Sequence, residues 1–267
     1  MSDPAAQKSP LADVRDLILK PVEPDLASGR KVREALMGMG REGDFGRLGE
    51  AAEWLACWQR RFPPRIEKPT LAIFAGSHGI VEQGVSLSSN SDTRAHIDAL
   101  TQGRAPLSAI ATQAGATVRV FELALDRPTP SIAKEAAMTE RECAATFAYG
   151  FEAVEDKPDL LAIAVSGAGV SRAAAAVACA LYGGSPDYWV RPSAQTPASL
   201  SGTRSTLVSE ALRLHRGHLS DPLEALRCLG GRELAACVGA IIAARHQSIP
   251  VVLDGFATTI AAGVVHA

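Results

Sequence analysis

The sequence predicts an α/β protein: a doubly wound, mainly parallel sheet with helices on both faces, preceded by a small N-terminal helical part. Short apolar runs at 70–75, 117–123, 160–165 and 250–253 alternate with helical patterns, the order that places parallel strands between helical crossovers. The stretch 160–181, LLAIAVSGAGVSRAAAAVACAL, passes from an apolar strand through a Ser-Gly-Ala-Gly turn into an alanine-rich helix. Three strands end in small or polar residues, at Gly76-Ser77-His78-Gly79, Ser166-Gly167-Ala168-Gly169 and Asp254-Gly255. Such ends line the ligand crevice of an open parallel sheet, so all three are expected to converge on one site.

Taken in order, the chain opens on MSDPAAQKSP, which lacks the apolar core of a signal peptide. Residues 30–61 read as helical, with Leu48, Ala52, Leu55 and Trp58 spaced for one apolar face, and FPPRIEKP ends that region. Pro63, Pro64 and Pro69 mark the boundary between an N-terminal part, 1–62, and an α/β domain, 63–267. Beyond the third strand, the Pro-, Ser- and Thr-rich stretch 183–204 reads as a long surface loop. Helices are expected at about 205–215 and 233–245, then the last strand and a final apolar helix. No internal repeat is visible.

The chain has 267 residues, enough for a large core, and 47% of them are hydrophobic. A formal net charge of -2, with both signs scattered, gives no basic stripe. Nucleic acid and anionic membrane surfaces are therefore poor partners, and small molecules suit the chain better. Five cysteines, Cys57, Cys143, Cys179, Cys228 and Cys237, are an odd number without a C-x-x-C pair, which indicates neither a disulfide framework nor a zinc site. Apolar runs are interrupted before they reach membrane-spanning length, so a soluble protein of the reducing cytoplasm is expected.

At 166–172 the glycines Gly167 and Gly169 let backbone N–H groups approach a ligand, and the helix that follows presents unpaired donors and a positive dipole end to an anion. Ser171 is the expected N-cap, and Arg172 and Arg204 add charge for a phosphate. A tight turn with no ligand stays open, because Arg172 occupies the third glycine position of a dinucleotide fingerprint, and Arg204 reads equally as a solvated loop arginine. His78 either orients a ligand and moves a proton or packs its own loop through a hydrogen bond. His215 and His218 have a spacing that suits a metal, with Asp221 nearby, but Gly217 and Pro222 favour a helix end there, and no metal site is expected. Asp254 either caps the next helix or contacts a sugar hydroxyl, with capping preferred.

The blocks FAGSHGIVEQGVS, ERECAATFAYGFEA, LYGGSPDYWV, DPLEALRCLGGRELAACVGAIIAAR and IPVVLDGFATTIAA, in this order, resemble the nicotinate-nucleotide-dimethylbenzimidazole phosphoribosyltransferase family. The resemblance runs from about residue 40 to 267 and is strongest from Ser220 onward. It implies a homodimer that moves phosphoribose from nicotinate mononucleotide to dimethylbenzimidazole, releasing nicotinate, in cobalamin lower-ligand assembly, with no metal or organic cofactor. By that resemblance Ser77, His78, Gly79 and Ser86 belong to the base pocket. Gly167, Gly169, Ser171, Arg172 and Arg204 would lie at the phosphate and ribose, with Asp254 and Gly255 as further site residues.

Departures from the family pattern fall on ligand-facing positions. Where the family reads G-E-M-G-I-G-N-T-T, residues 164–172 here read AVSGAGVSR; its G-T-G loop aligns with Ser193-Ala194-Gln195, and its following lysine with Arg204. The G-G-A-A-I-N and V-T-x-Q-M patterns align with 102–108 and 92–96, where the expected glutamine is replaced. By the resemblance the family's catalytic glutamate falls beyond Ala267, so the family's C-terminal segment is expected to be lacking and no residue here takes the role of base. Three readings follow: a phosphoribosyltransferase with a rebuilt anion site; a non-catalytic paralogue that binds a nucleotide, an aromatic base or an active family enzyme as a heterodimer partner; and, last, a dinucleotide-dependent oxidoreductase, which the absent third glycine disfavours.

Overall fold

An apolar run with no polar alternation has to be buried on both faces, and Pro69–Ala75 (β1) takes that place at the middle of a sheet. The computed structural model describes residues 9–39, 45–190 and 197–267. Its sheet has four strands in the order β2-β1-β3-β4, where β2 is Thr117–Glu122, β3 is Leu160–Ser166 and β4 is Val251–Leu253. All pairings are parallel, with Ala75 opposite Glu122 on one side and Ser166 on the other. The chain leaves β1 for β2 on one side and later returns to place β3 on the other. The winding therefore reverses between β1 and β3, the position at which an open α/β sheet forms a crevice beyond its carboxyl ends.

Side chains alternate across the sheet. Ala72 and Phe74 of β1, with Leu161 and Ile163 of β3, enter the main core. Ile73 and Ala75 enter a smaller one with Ile97 and Leu100. The smaller core is covered by Asn90–Thr101 (α4) and Pro106–Gln113 (α5). Over the main core lie Glu140–Tyr149 (α6), Val170–Tyr182 (α7), Ala198–His215 (α9), Pro222–Leu229 (α10), Arg232–His246 (α11) and Gly255–His266 (α12); the short Pro186–Trp189 (α8) follows α7. Residues 173–178 of α7 are all wholly buried, and their small side chains let it sit among α8, α9, α10 and α12. Phe74, fully buried and stacked on Phe121 at 4.9 Å, gains about 3 kcal/mol from leaving water.

Ahead of β1, Ala12–Ile18 (α1) sends Val14 into the main core together with Leu11, the residue that precedes it, while Leu26–Gly38 (α2) and Arg47–Gln59 (α3) pack on each other. The expected apolar face of α3 is partly covered from within the molecule. Trp58 lies under the Arg245 guanidinium at 4.9 Å, and Trp54 and Trp58 border a small recess with Ile249 and Val251.

Two expectations need correction. The stretch 183–204 is not one long loop, because α8 lies within it and α9 begins at Ala198, with Leu207, Val208 and Ala211 giving that helix a buried face. Arg204 accordingly sits on a helix and is only 3% exposed, which overturns its reading as a solvated loop arginine. The histidine pair is engaged elsewhere. His215 Nε2 bonds the Ile132 carbonyl at 2.9 Å, and Asp221 caps α10 by accepting from the Leu223 and Glu224 amides. Among the described residues no group of three or more His, Cys, Asp or Glu is placed to hold a metal ion, and no helix is long and apolar enough to cross a membrane.

Candidate functional site

The carboxyl ends of β1 and β3 meet directly, with Gly76 N–H donating to the Ser166 carbonyl at 3.0 Å. Beyond them opens a cleft of about 560 Å³. Its wall is residues 166–169, Ser171 and Arg172 on one side, Arg204 from α9, and Ser86, Asp92 and His96 opposite. Gly169, at φ +92°, is the first capping residue of α7, a conformation that only glycine takes without strain. Ser171 is therefore inside the first turn of α7 and not its N-cap, and its hydroxyl bonds Arg172 Nη1.

Arg172 and Arg204 bring two positive side chains to the same wall. Arg204 Nε donates to the Val85 carbonyl at 2.8 Å, which anchors the guanidinium beside the segment that carries Ser86. Arg172 is half-buried, and its Nε is shut from solvent without a hydrogen-bond partner. Burial, then the neighbouring charge of Arg204, pushes the Arg172 pKa down to about 10, so the side chain remains a cation at neutral pH. Two cations on one wall, one with an unused buried donor, beside the amino end of a helix behind a glycine turn, are chemically suited to an anion.

A second recess of about 410 Å³ shares Ser171 and Arg172 with the cleft and is otherwise lined by Tyr188, Trp189, Val190 and Phe256. Trp189 is held by its indole N–H, which donates to the Gly183 carbonyl at 2.8 Å, and Phe256 stacks on it at 6.3 Å. Arg172 thus stands between a polar cleft and an aromatic one.

The other residues singled out from sequence are dispersed around this centre. Ser86 lines the cleft, half-buried. Ser77 and His78 lie beneath it, 1% and 0% exposed, and Gly79 opens a 3₁₀ turn with its N–H donating to the Thr129 carbonyl at 2.8 Å. Asp254 is exposed at the start of α12 and its carboxylate makes no capping bond; the Thr258 hydroxyl instead donates to the Asp254 carbonyl, so the preferred capping reading fails. Gly255, at φ +86°, turns the chain into α12 and brings Phe256 to the aromatic recess, so the third strand end reaches that recess and not the main cleft. The aligned residues 193–195 lie outside the described residues.

Sequence reasoning missed Glu233. On α11 and wholly buried, it places Oε1 2.6 Å from His78 Nε2. Its signal in the sequence is a lone acid followed at once by the apolar run LAACVGAII, where an unpartnered carboxylate would be costly. His96 was also passed over as a site residue, although one helical turn after Asp92 it reaches the same wall.

A family model described as Phosphoribosyltransferase matches residues 23–267. The nicotinate-nucleotide–dimethylbenzimidazole phosphoribosyltransferases of Brucella canis and Brucella abortus are each 42% identical over 264 residues, covering 98% of this chain and 78% of theirs. The solved structure of the nicotinate-nucleotide-dimethylbenzimidazole phosphoribosyltransferase from Thermus thermophilus superposes with a TM-score of 0.74 at 27% identity, over 97% of this chain and 78% of that one.

Proposed function

The chain belongs to the nicotinate-nucleotide-dimethylbenzimidazole phosphoribosyltransferase family, and from that membership we propose that it transfers phosphoribose from nicotinate mononucleotide to dimethylbenzimidazole, releasing nicotinate. The observation that carries the reading is the cation pair Arg172 and Arg204 beside the glycine turn at the carboxyl end of β3. A 5′-phosphate seated there would receive charge-assisted hydrogen bonds from Arg172 and the amide donors of the first turn of α7. The ribose would then extend over 166–169 toward Ser86 and α4. In the transfer, the bond between the ribose C1′ and the pyridine nitrogen breaks, its electron pair leaving with nicotinate. The lone pair of the unprotonated benzimidazole nitrogen forms the new bond to C1′, and the N–H on the other ring nitrogen then loses its proton to water. Holding both rings against one anchored phosphoribose supplies rate by proximity, worth several powers of ten when the geometry is close to that of attack.

The test is chromatographic detection of nicotinate when the protein meets nicotinate mononucleotide and dimethylbenzimidazole, with a Brucella enzyme as positive control. Release that Arg172→Ala or Arg204→Ala reduces at least about tenfold supports the reading. No release beside a working control would leave a nucleotide-binding paralogue.

The reading extends to setting and assembly. Five free, buried thiols suit the reducing cytoplasm. The exposed Leu48 and the 37%-exposed Trp54 on α3 suit a homodimer face. A single monomeric species by light scattering at micromolar concentration would overturn the dimer.

A further inference from the structure

We propose that His78 and Glu233 act as a positioning pair that holds the anion-binding turn 166–169 in its binding geometry from below. In its consequence for ligand binding, this inference rests on the function proposed above.

The pair is sealed: His78 and Glu233 side chains are 1% and 0% exposed, and Nε2 and Oε1 are 2.6 Å apart. One hydrogen bond joins His78 Nε2 and Glu233 Oε1, with the donor set by the histidine tautomer. The surrounding backbone is cut to make room. A Cβ at Gly76 would fall 2.0 Å from Glu233 Oε2, and one at Gly231 would fall 2.4 Å from His78 Cε1. Each position admits glycine alone while the pair stays where it is.

From His78, two routes lead to the turn. The first is contact: a Cβ at Gly169 would lie 3.2 Å from His78 Cβ, and one at Gly167 would lie 2.6 Å from the Gly76 carbonyl, so the turn rests on residues 76–78 at van der Waals distance. The second is polar. Asn90, at the start of α4, brackets the His78 backbone, its amide group donating to the His78 carbonyl at 3.2 Å and its oxygen accepting from the His78 N–H at 3.4 Å. One turn later on α4, Thr93 Oγ1 accepts the Ala168 N–H at 2.9 Å. Glu233 on α11 thus fixes His78, and His78 fixes both the surface under the turn and the helix that binds its central amide. Neither side chain lines the cleft, so neither is cast as a catalytic residue.

Reach is the property to test. His78→Gln keeps a nitrogen at the distance of Nε2, whereas His78→Asn falls short of Glu233, and Glu233→Asp withdraws the carboxylate by one methylene. Hydrogen exchange at the Ala168 amide, without ligand, should quicken at least about tenfold in His78→Asn and in Glu233→Asp, and stay near wild type in His78→Gln. The dissociation constant for nicotinate mononucleotide, read by calorimetry, should rise about tenfold in the same two variants, with turnover at saturating nucleotide changed far less. A structural role alone would lower the melting temperature, quicken exchange at Ala168 no more than at core amides such as Phe74 of β1, and leave the dissociation constant unchanged. Unchanged exchange at Ala168 in folded His78→Asn or Glu233→Asp overturns the proposal, as does equal quickening in His78→Gln and His78→Asn. Should one short variant fail to fold, the other carries the test. If the wild-type protein binds no nicotinate mononucleotide, the proposed function fails while the exchange result still decides this inference.

Discussion

The floor and the wall of the cleft solve opposite problems with the same kind of polar side chain. Beneath the cleft, His78 and Glu233 are wholly buried and meet each other, and the chain has given up side chains at Gly76 and Gly231 to let them do so. On the wall, Arg172 keeps a buried Nε without a partner and stands near another cation, Arg204. The floor pairs its two titratable groups within the protein, while His78 Nδ1 and Glu233 Oε2 stay buried without a hydrogen-bond partner. The wall gathers two cations on the open cleft, the feature on which the proposed phosphate site rests. Ligand chemistry is to be sought at the wall, since a sealed histidine–carboxylate pair marks architecture and two like charges gathered on an open cleft mark a binding site.

The largest expected effect breaks the floor. Gly76→Ala drives a methyl group into the Glu233 carboxylate and should lower unfolding free energy by about 2 kcal/mol, read from the urea midpoint. A midpoint within error of wild type would mean that the floor yields easily and that the contrast is false.

The wall should respond in the other direction. Arg172→Met removes a half-buried cation whose charge burial disfavours, so stability should hold or rise by up to about 1 kcal/mol even as nucleotide binding is lost. The pH dependence has a definite sign. The folded-state pKa of Arg172 is depressed to about 10, so above that value the folded protein holds fewer protons than the unfolded chain. Stability from this group therefore rises with pH between about 10 and the ordinary arginine value, whereas affinity for a phosphate falls across the same window as the cation is lost. Calorimetric titration with inorganic phosphate from pH 8 to 11 checks the second half, and an affinity flat through pH 10 would remove Arg172 from the anion site.

The smallest effect reports on how tightly the floor is closed. Cys237, one turn beyond Glu233, has its thiol pKa raised by burial and then by the Glu233 charge, and burial pushes Cys143 up to about 12 and Cys179 to about 11. All these thiols are protonated at neutral pH, so a disulfide reagent at pH 8 should label none of the five in the native protein and all five after denaturation. Labelling of Cys237 in His78→Asn but not in wild type would show the floor opening when the pair is broken.

Much of this was legible from the chain. Strands expected at 70–75, 117–123, 160–165 and 250–253 appear within a residue or so of those bounds, because the unbroken apolar runs of β1 and β3 have little alternative to a buried parallel strand and the β-branched residues of the edge strands β2 and β4 come just after glycine or proline. The turn at 166–169, with Arg172, was likewise readable, since its chemistry lies within a few consecutive residues. Capping was less so. Ser171 and Asp254 both have side chains suited to it, yet Gly169 occupies the cap of α7 and the Asp254 carboxylate points elsewhere, a choice set by the backbone angles at 169 and 255. Arg204 was misplaced because a Ser- and Thr-rich helix start resembles a loop until its far face is seen to pack.

By itself, then, the sequence determined the α/β class, the strands, the loops that reach the carboxyl edge and the family resemblance, all of which rest on local pattern or on contiguous blocks. The tertiary structure alone decided which polar groups meet. His78 and Glu233 are 155 residues apart, and Arg204 reaches the Val85 carbonyl across 119. Whether a buried charge has a partner or waits for a ligand depends on such distant encounters, because solvation and pairing act through space and not along the chain.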